Sequence, residues 1–170
     1  MVERKGVITF QGNPLTLRGP ELKAGDKAPA FTLLDNSLHP VSLDVYRGKT
    51  LLLSVAPSLD TPVCAIQTRK FNQELKSLPA GTALVTVTAD LPFAQGRFCG
   101  AEGLAITTLS DHRDMSFGDA YGTHIAELRL ETRALFVVGK DGVVKYAQYV
   151  KEITQEPDYA PALAALKANV

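Results

Sequence analysis

The feature that most constrains the fold is a strand, a helix and a second strand in close succession in the first half of the chain. The apolar stretch Thr50 to Val55 has the length and composition of a buried strand. A helix is predicted from Pro62 to about Leu78, because Asp60 or Thr61 can cap it and proline suits its first turn. The segment Ala83 to Ala89 follows as another strand. Such a crossover places its two strands parallel in one sheet, so the chain is predicted to have an α/β fold.

The other predicted elements complete a thioredoxin-like order. Hydrophobic patterning and turn residues predict an N-terminal hairpin, a short strand, two helical regions, a second hairpin and a terminal helix. In chain order these are Val7 to Leu17, Phe31 to Leu33, Phe93 to Ala101, Met115 to Tyr121, Ala134 to Val138 with Val143 to Val150, and Ala160 to Lys167. By fold-level analogy, we expect a thioredoxin-like α/β fold with an N-terminal β-hairpin extension and a mixed central sheet flanked by helices.

Composition and charge limit the classes of partner that the chain can bind. The 170 residues contain no internal repeat or linker-like stretch, so a single domain spanning residues 1–170 is expected. Basic and acidic side chains number 18 each, and this balance argues against binding to nucleic acid or to a membrane, which needs a basic face. The longest apolar run, near Leu51 to Pro57, is far too short to span a bilayer. The N-terminal residues lack the apolar stretch of a secretory signal, so a cytoplasmic location is expected.

The two cysteines offer the most informative chemistry in the sequence. A domain of this length folds without a disulfide, and cysteines in a reducing compartment are more often free, catalytic or metal-bound. Cys64 falls in the first turn of the predicted helix, just beyond the preceding strand, where unpaired N–H groups and the helix dipole stabilise an anion. We therefore expect the thiolate form of Cys64 to be favoured. The hydroxyl of Thr61, one turn earlier, is placed to hydrogen-bond the sulfur or a bound oxygen.

Two local patterns resemble a known family. The pattern P-x-x-x-T-x-x-C from Pro57 to Cys64, at a strand-to-helix turn, resembles the peroxidatic signature of the peroxiredoxins. The segment Asp90 to Gly103, which contains Cys99, resembles the resolving-cysteine segment of the bacterial thiol peroxidase subfamily nearly letter for letter. Three flanking stretches agree with that subfamily, namely Phe10 to Pro14, Arg69 to Asn72 and Glu152 to Tyr159. The resemblance extends over almost the whole chain.

This resemblance implies the mechanism of an atypical 2-Cys peroxiredoxin. Cys64 would attack the terminal oxygen of hydrogen peroxide or an alkyl hydroperoxide and become a sulfenic acid, and Cys99 would condense with it to a disulfide that thioredoxin reduces. The family also implies a homodimer. If both cysteines lie in folded helices, their Cα atoms can exceed the roughly 7 Å that a disulfide permits. We therefore expect local unwinding around Cys64, Cys99 or both.

The resemblance further implies an arginine beside the thiolate, where its donors can hold the peroxide and stabilise the leaving oxygen. Arg133 directly precedes the predicted strand Ala134 to Val138, which is where the family has its arginine, and Arg129 is the alternative. Pro57 either ends the preceding strand or shields the sulfur from water. An apolar approach to the site is expected from three side chains, Leu91, Phe93 and Phe98.

Other functions have weaker support. His39, His112 and His124 share no ligand-like spacing and are interpreted as surface residues, and two cysteines alone do not complete a zinc site. The chain has no C-x-x-C motif, and the glycines around Cys99 do not follow a strand as a phosphate-binding loop would. We therefore expect neither a metal nor another cofactor. The alternative function is a redox-switched binding protein, in which a disulfide between Cys64 and Cys99 changes the choice of partner.

Overall fold

A computed structural model describes residues 1–170 as strands and helices in alternation. The strands are β1 (Glu3–Phe10), β2 (Asn13–Arg18), β3 (Thr32–Leu34), β4 (Pro40–Ser42), β5 (Thr50–Val55), β6 (Thr82–Thr88), β7 (Thr107–Ser110), β8 (His124–Ile125), β9 (Leu130–Glu131), β10 (Ala134–Val138) and β11 (Val144–Tyr149). The helices are α1 (Pro62–Glu74), α2 (Pro92–Glu102), α3 (Ser116–Tyr121) and α4 (Tyr159–Ala168).

A seven-stranded mixed sheet forms the centre of the fold, with the strand order β11-β10-β5-β6-β7-β3-β4. Strands β5 and β6 pair in parallel, as the predicted crossover requires, and β7 continues the parallel run. On the other side of β5, β10 pairs antiparallel with β5, and β11 pairs antiparallel with β10 to form the predicted hairpin. The predicted thioredoxin-like α/β class with a mixed central sheet is confirmed.

Helices cover both faces of this sheet, which explains why every residue of β5 is buried. Leu51 and Leu53 pack on one face with Phe117 of α3. Leu52, which points the opposite way, packs on the other face with Phe71 of α1 and with residues of α2 and α4. Full burial of a leucine stabilises the fold by about 1.5–3 kcal/mol, so β5 is a rigid base for the loop that follows it.

The predicted N-terminal hairpin is confirmed, although it begins earlier than the sequence indicated. Strands β1 and β2 pair antiparallel from Glu3 to Arg18. Their two-residue turn consists of Gln11 and Gly12, with φ angles of 50° and 80°, and two left-handed residues give the turn the twist of the strands. The hairpin belongs to a second, four-stranded sheet with the order β1-β2-β8-β9.

Three details differ from the sequence prediction. Helix α1 ends at Glu74 and tightens into a 3-10 turn, so the predicted end at Leu78 was too late. Strand β7 was missed because its four residues are too few to show a period. The prediction that all three histidines are surface residues was wrong for His124, which is buried. Its strand β8 lies between β2 and β9, and its Nδ1 lies 2.7 Å from Asp119 Oδ1. None of the helices has the length and apolar character needed to cross a membrane.

Candidate active site

Cys64 occupies the first turn of α1, at the carboxyl end of the central strand β5. Helix α1 begins with Pro62, whose missing N–H costs the helix nothing at this position. The Cys64 side chain is fully buried. The first-turn N–H groups of a helix have no intrahelical acceptor and carry partial positive charge, so this position favours a negatively charged sulfur.

Arg133 lies directly against this sulfur. Its Nη2 donates to Cys64 Sγ at 3.3 Å, and its side chain is only 2% exposed. The same guanidinium donates from Nε and Nη2 to the carbonyl of Ile153, at 3.1 and 2.8 Å, and from Nη1 to Gln67 Oε1 at 2.7 Å. All three nitrogens of the planar guanidinium are therefore hydrogen-bonded, and one of them, Nη2, also donates to the thiol.

The alternative arginine is elsewhere. Arg129 sits in a tight turn with a φ of 52°, and its Nη2 donates to the carbonyl of His112 at 3.0 Å. Its contacts are thus with the loop before α3. The structure brings Arg133, and not Arg129, to Cys64.

Gln67 is a site residue that the sequence reasoning missed. Besides accepting from Arg133, its amide donates from Nε2 to Ser54 Oγ at 2.8 Å and to the carbonyl of Val55 at 3.3 Å. The side chain is fully buried, so these bonds fix the amide that in turn fixes the guanidinium. A signal was available, since a polar residue three positions after Cys64 lies on the same face of a helix as the sulfur.

Thr61 and Pro57 lie in the loop between β5 and α1, ahead of Cys64 in the chain. The Thr61 hydroxyl donates to the carbonyl of Ser58 at 2.8 Å and not to the sulfur, and it makes no side-chain capping bond at the start of α1. Its lone pairs remain available to accept a hydrogen bond. Pro57 is buried.

Asp90 fastens this loop to the segment that leads into α2. Its carboxylate accepts from Ser58 Oγ at 2.6 Å, from the backbone N–H of Leu59 at 2.7 Å and from Thr88 Oγ1 at 2.8 Å. One side chain thus connects the loop before Cys64 with the segment before the helix of the second cysteine.

Cys99 lies near the end of α2 and is 8% exposed. It packs in an apolar cluster with Phe71 and Leu52, and both cysteines are free thiols. Burial raises the pKa of the Cys99 thiol, and a hydrogen bond with Thr108 partly opposes that rise. Cys99 is therefore a neutral thiol at neutral pH, and each cysteine belongs to an intact helix.

A polar cluster lies on the same side of the sheet as the sulfur. Lys70 Nζ lies 2.8 Å from Glu156 Oε1 and 4.8 Å from the centre of the Tyr159 ring, and the Tyr159 hydroxyl also donates to Glu156. The Lys70 ammonium is the main cause of the lowered pKa of Glu156, and the Arg133 charge acts in the same direction.

Near α2, Leu91 and Phe93 are exposed, whereas Phe98 is half-buried against the apolar cluster around Cys99. No group of three or more acidic, histidine or cysteine side chains is placed to hold a metal ion.

Comparison with known proteins places the chain and its fold in one family. The family model described as Redoxin matches residues 23–163. The thiol peroxidase of Halalkalibacterium halodurans is 57% identical over 95% of this chain and 97% of its own, and that of Bacillus subtilis is 53% identical over 96% and 98%. Among solved structures, a peroxiredoxin-like protein from Aquifex aeolicus superposes with a TM-score of 0.90 at 37% identity and covers 98% of each chain.

A thiol peroxidase from Chromobacterium violaceum, at 23% identity, shares the fold with a TM-score of 0.84 over 95% of each chain. The chain therefore belongs to the redoxin family. Within that family it belongs to the thiol peroxidase subfamily of the peroxiredoxins, and it is a peroxidase enzyme.

Proposed function

We propose that this protein reduces hydrogen peroxide and alkyl hydroperoxides through Cys64, resolves the oxidised sulfur with Cys99 and is recycled by thioredoxin. The observation that carries the proposal is the contact of 3.3 Å between Arg133 Nη2 and Cys64 Sγ. A fixed cation on a buried sulfur at a helix start favours both the thiolate and the charge that develops on a departing oxygen. The names of the relatives, each a thiol peroxidase, support the same reaction.

In the first step, the Cys64 thiolate attacks the terminal oxygen of the hydroperoxide. The S–O bond forms as the O–O bond breaks, and the leaving oxygen takes the electron pair and a proton to depart as water or an alcohol. The sulfur is thereby oxidised by two electrons to the sulfenic acid. Arg133 stabilises the leaving oxygen, and the Thr61 oxygen accepts a hydrogen bond from the O–H of the incoming hydroperoxide. Pro57 excludes water from the sulfur.

In the second step, the Cys99 thiol attacks the sulfur of the sulfenic acid, an S–S bond forms and water leaves. Thioredoxin then donates two electrons and two protons through its own thiols and becomes a disulfide. Because Cys99 packs in the core and both cysteines sit in helices, part of α1 or α2 must unwind before the sulfurs can meet.

The proposal extends to the assembly and the location of the enzyme. Leu91 and Phe93 are 52% and 65% exposed at the start of α2, and neighbouring exposed apolar side chains mark a protein interface. We infer a homodimer through this surface. Residues 1–170 act as one domain, and the enzyme works in the cytoplasm, where thiols are kept reduced.

Peroxide consumption by cysteine variants tests the proposed function. With excess thioredoxin and its reductase, the wild type should turn over many equivalents of peroxide. Cys64→Ser should consume none, because the nucleophile is absent. Cys99→Ser should consume the first equivalent at the rate of the wild type and then stop, because thioredoxin no longer meets a disulfide.

The rate constant of Cys64 with peroxide separates the enzyme from the redox-switched binding protein. Reaction no faster than that of a free thiol, together with a partner that binds only one redox form, would favour the switch. Undiminished peroxide turnover by Cys64→Ser would contradict both functions.

A further inference from the structure

The position of Arg133 depends on a loop outside the site. The carbonyl of Ile153 accepts two of the hydrogen bonds from the guanidinium, at 3.1 and 2.8 Å. Ile153 lies between β11 and α4, in a segment that belongs to neither helix nor strand. A carbonyl in such a segment has no ladder or helix to hold its direction, so its orientation must come from other contacts.

Those contacts come from the N-terminal hairpin. The backbone N–H of Ile153 donates to the carbonyl of Thr9 at 3.0 Å, and the N–H of Thr9 donates to the carbonyl of Lys151 at 2.6 Å. Residues 151 and 153 are thus paired with β1 on either side of Glu152. The loop that holds Arg133 is therefore docked on the hairpin.

The Glu152 carboxylate also joins the hairpin to the loop around Ile153, and these contacts together are called the junction. Its Oε2 accepts from Thr9 Oγ1 at 2.6 Å and from the N–H of Gly12 at 3.0 Å. Its Oε1 accepts from the N–H of Gln11 at 3.0 Å and from the N–H and hydroxyl of Thr154 at 3.2 and 2.8 Å. One carboxylate therefore joins the turn of the hairpin to both sides of Ile153.

The charge of Glu152 strengthens these hydrogen bonds. The hydrogen bond from the Thr9 hydroxyl, followed by that from the Gly12 N–H, lowers the pKa of Glu152 to about 2. Glu152 is consequently ionised at neutral pH, and hydrogen bonds to an ionised acceptor are about twice as strong as neutral ones.

We propose that Glu152 is a positioning residue for Arg133: by binding the hairpin turn, it fixes the Ile153 carbonyl that holds the guanidinium against the Cys64 sulfur. The inference rests on the proposed function, since it concerns the arginine assigned to peroxide reduction. It gives the N-terminal hairpin a part in the reaction, although the side-chain hydrogen bonds of Arg133 go to Ile153, Gln67 and Cys64 and not to the hairpin.

Two rate constants on the same sulfur distinguish this role from a general structural one. Peroxide reduction requires the arginine at the leaving oxygen, whereas alkylation by iodoacetamide requires only an accessible thiolate. In Glu152→Gln, a donor amide replaces one acceptor oxygen and faces N–H and hydroxyl donors. Since misplacement of a catalytic group by about 1 Å can cost about 100-fold, we expect the peroxide rate constant to fall about tenfold. Both rate constants are measured on the high-pH plateau of the alkylation profile, where loss of the arginine no longer changes the amount of thiolate, and there the iodoacetamide rate constant should change less than twofold.

Two further variants complete the experiment. Thr9→Val removes one donor while keeping the shape of the side chain, and it should lower the peroxide rate constant about threefold even if Glu152→Gln does not fold. Glu127→Gln is the matched control. Both oxygens of Glu127 accept from the N–H of Thr16 on the same hairpin at 3.0 Å, yet Glu127 contacts nothing that holds Arg133, so both rates should match the wild type.

Each remaining outcome overturns the inference. Wild-type peroxide rates in both Glu152→Gln and Thr9→Val would show that the junction does not position Arg133. A proportional change in both rate constants would show general loosening of the fold. If the wild type itself reacted with peroxide no faster than a free thiol, the proposed function and this inference would both be contradicted. A fast wild type with unaffected variants would contradict this inference alone.

Discussion

The guanidinium of Arg133 uses all three of its nitrogens, and only one of them is directed at the sulfur. Nε and Nη1 donate to the Ile153 carbonyl and to Gln67, and Nη2 donates both to that carbonyl and to Cys64 Sγ. A lysine in this position could offer only one compact charge, without the planar fork that these acceptors require. The chemistry at Cys64 therefore depends on geometry as well as on charge.

Arg133→Lys should lower the second-order rate constant of Cys64 with peroxide by about 100-fold or more, the usual cost of losing one preorganised donor to a developing negative charge. Competition with a chromogenic peroxidase measures this rate without a fluorescent reporter, which matters because the chain has no tryptophan. Arg129→Lys is the control and should react like the wild type, because Arg129 contacts the carbonyl of His112 instead. Equal losses in both variants would contradict the role of Arg133.

Glu131 gives a residue-scale prediction about pH. Burial, reinforced by the charge of Asp111, raises the pKa of Glu131 well above its usual range. Between the pKa of the unfolded chain, about 4.3, and the higher folded value, the folded protein holds a proton that the unfolded chain has lost. The free energy of unfolding contributed by Glu131 therefore falls as the pH rises through this window.

Glu131→Gln removes this dependence, because its amide keeps a donor towards Asp111 and an acceptor for Thr123 without titrating. Relative to the wild type, the variant should gain about 1 kcal/mol or more of unfolding free energy between pH 5 and pH 8. Urea unfolding at the two pH values measures the difference. Parallel pH dependence in the two proteins would show that Glu131 is ionised in the folded state.

The residues of the site were not equally predictable. The resemblance indicated Cys64, Thr61, Cys99 and Pro57 because they sit in local patterns, and it indicated Arg133 by its place before a strand. Gln67 meets a partner 66 positions away, and Ile153 acts through its backbone carbonyl, which no sequence letter specifies. Glu152 was visible only as part of a matching stretch, since its partners become neighbours only when the hairpin folds back onto the loop.

At the scale of elements, the two cysteine helices are held by a small number of polar contacts at their starts. Ser58 Oγ donates to Asp90 at 2.6 Å and connects the loop before α1 with the segment before α2. Such contacts must break if either helix unwinds from its start to form the disulfide. The predicted βαβ unit was reliable because β5 is a continuous apolar run and a capping residue with a proline marks the start of α1. The two-residue strands β8 and β9 exist only because β8 pairs with β2 and β9 pairs with β8.

Ser58→Ala should speed the formation of the Cys64 to Cys99 disulfide. The lost hydrogen bond stabilises the closed loop by about 1 kcal/mol, which corresponds to a rate increase of about fivefold if the bond is broken in the transition state. Acid quenching at set times after one equivalent of peroxide, followed by mass spectrometry, gives the rate. Ser77→Ala is the control, because Ser77 bonds to Glu74 at the far end of α1. A slower or unchanged rate in Ser58→Ala would show that this loop does not limit the rearrangement.

At the scale of the whole molecule, the fold separates a rigid sheet from the parts that must move. The central strand β5 is buried on both faces, while the sulfurs sit at helix positions beyond its end and beside it. The sequence predicted strands β3, β5, β6, β10 and β11 and all four helices, but not β4 or β7 of the central sheet. It could not show which surface would form the interface of the proposed homodimer, because exposed apolar side chains become visible only after folding.

Phe93→Lys should shift the proposed homodimer towards monomer, because a buried charge without a partner is costly at an apolar interface. Sedimentation velocity over a range of concentrations measures the shift. Val45→Lys is the matched control: Val45 is 62% exposed, close to the 65% of Phe93, but it lies in the helical turn between β4 and β5, whose residues Leu43 and Tyr46 pack on the opposite face of the sheet from Cys99 of α2. Identical sedimentation of Phe93→Lys and the wild type as dimers would place the interface elsewhere.

The central claim is that Cys64 and Cys99 act in sequence within one chain. Mass spectrometry of the reduced protein after one equivalent of hydrogen peroxide tests it most directly. The expected product has lost two hydrogens and yields a single crosslinked peptide that joins Cys64 to Cys99, and Cys64→Ser should show neither change. Stable addition of oxygen to Cys64 with Cys99 still a free thiol, or a crosslink between two chains, would contradict the claim.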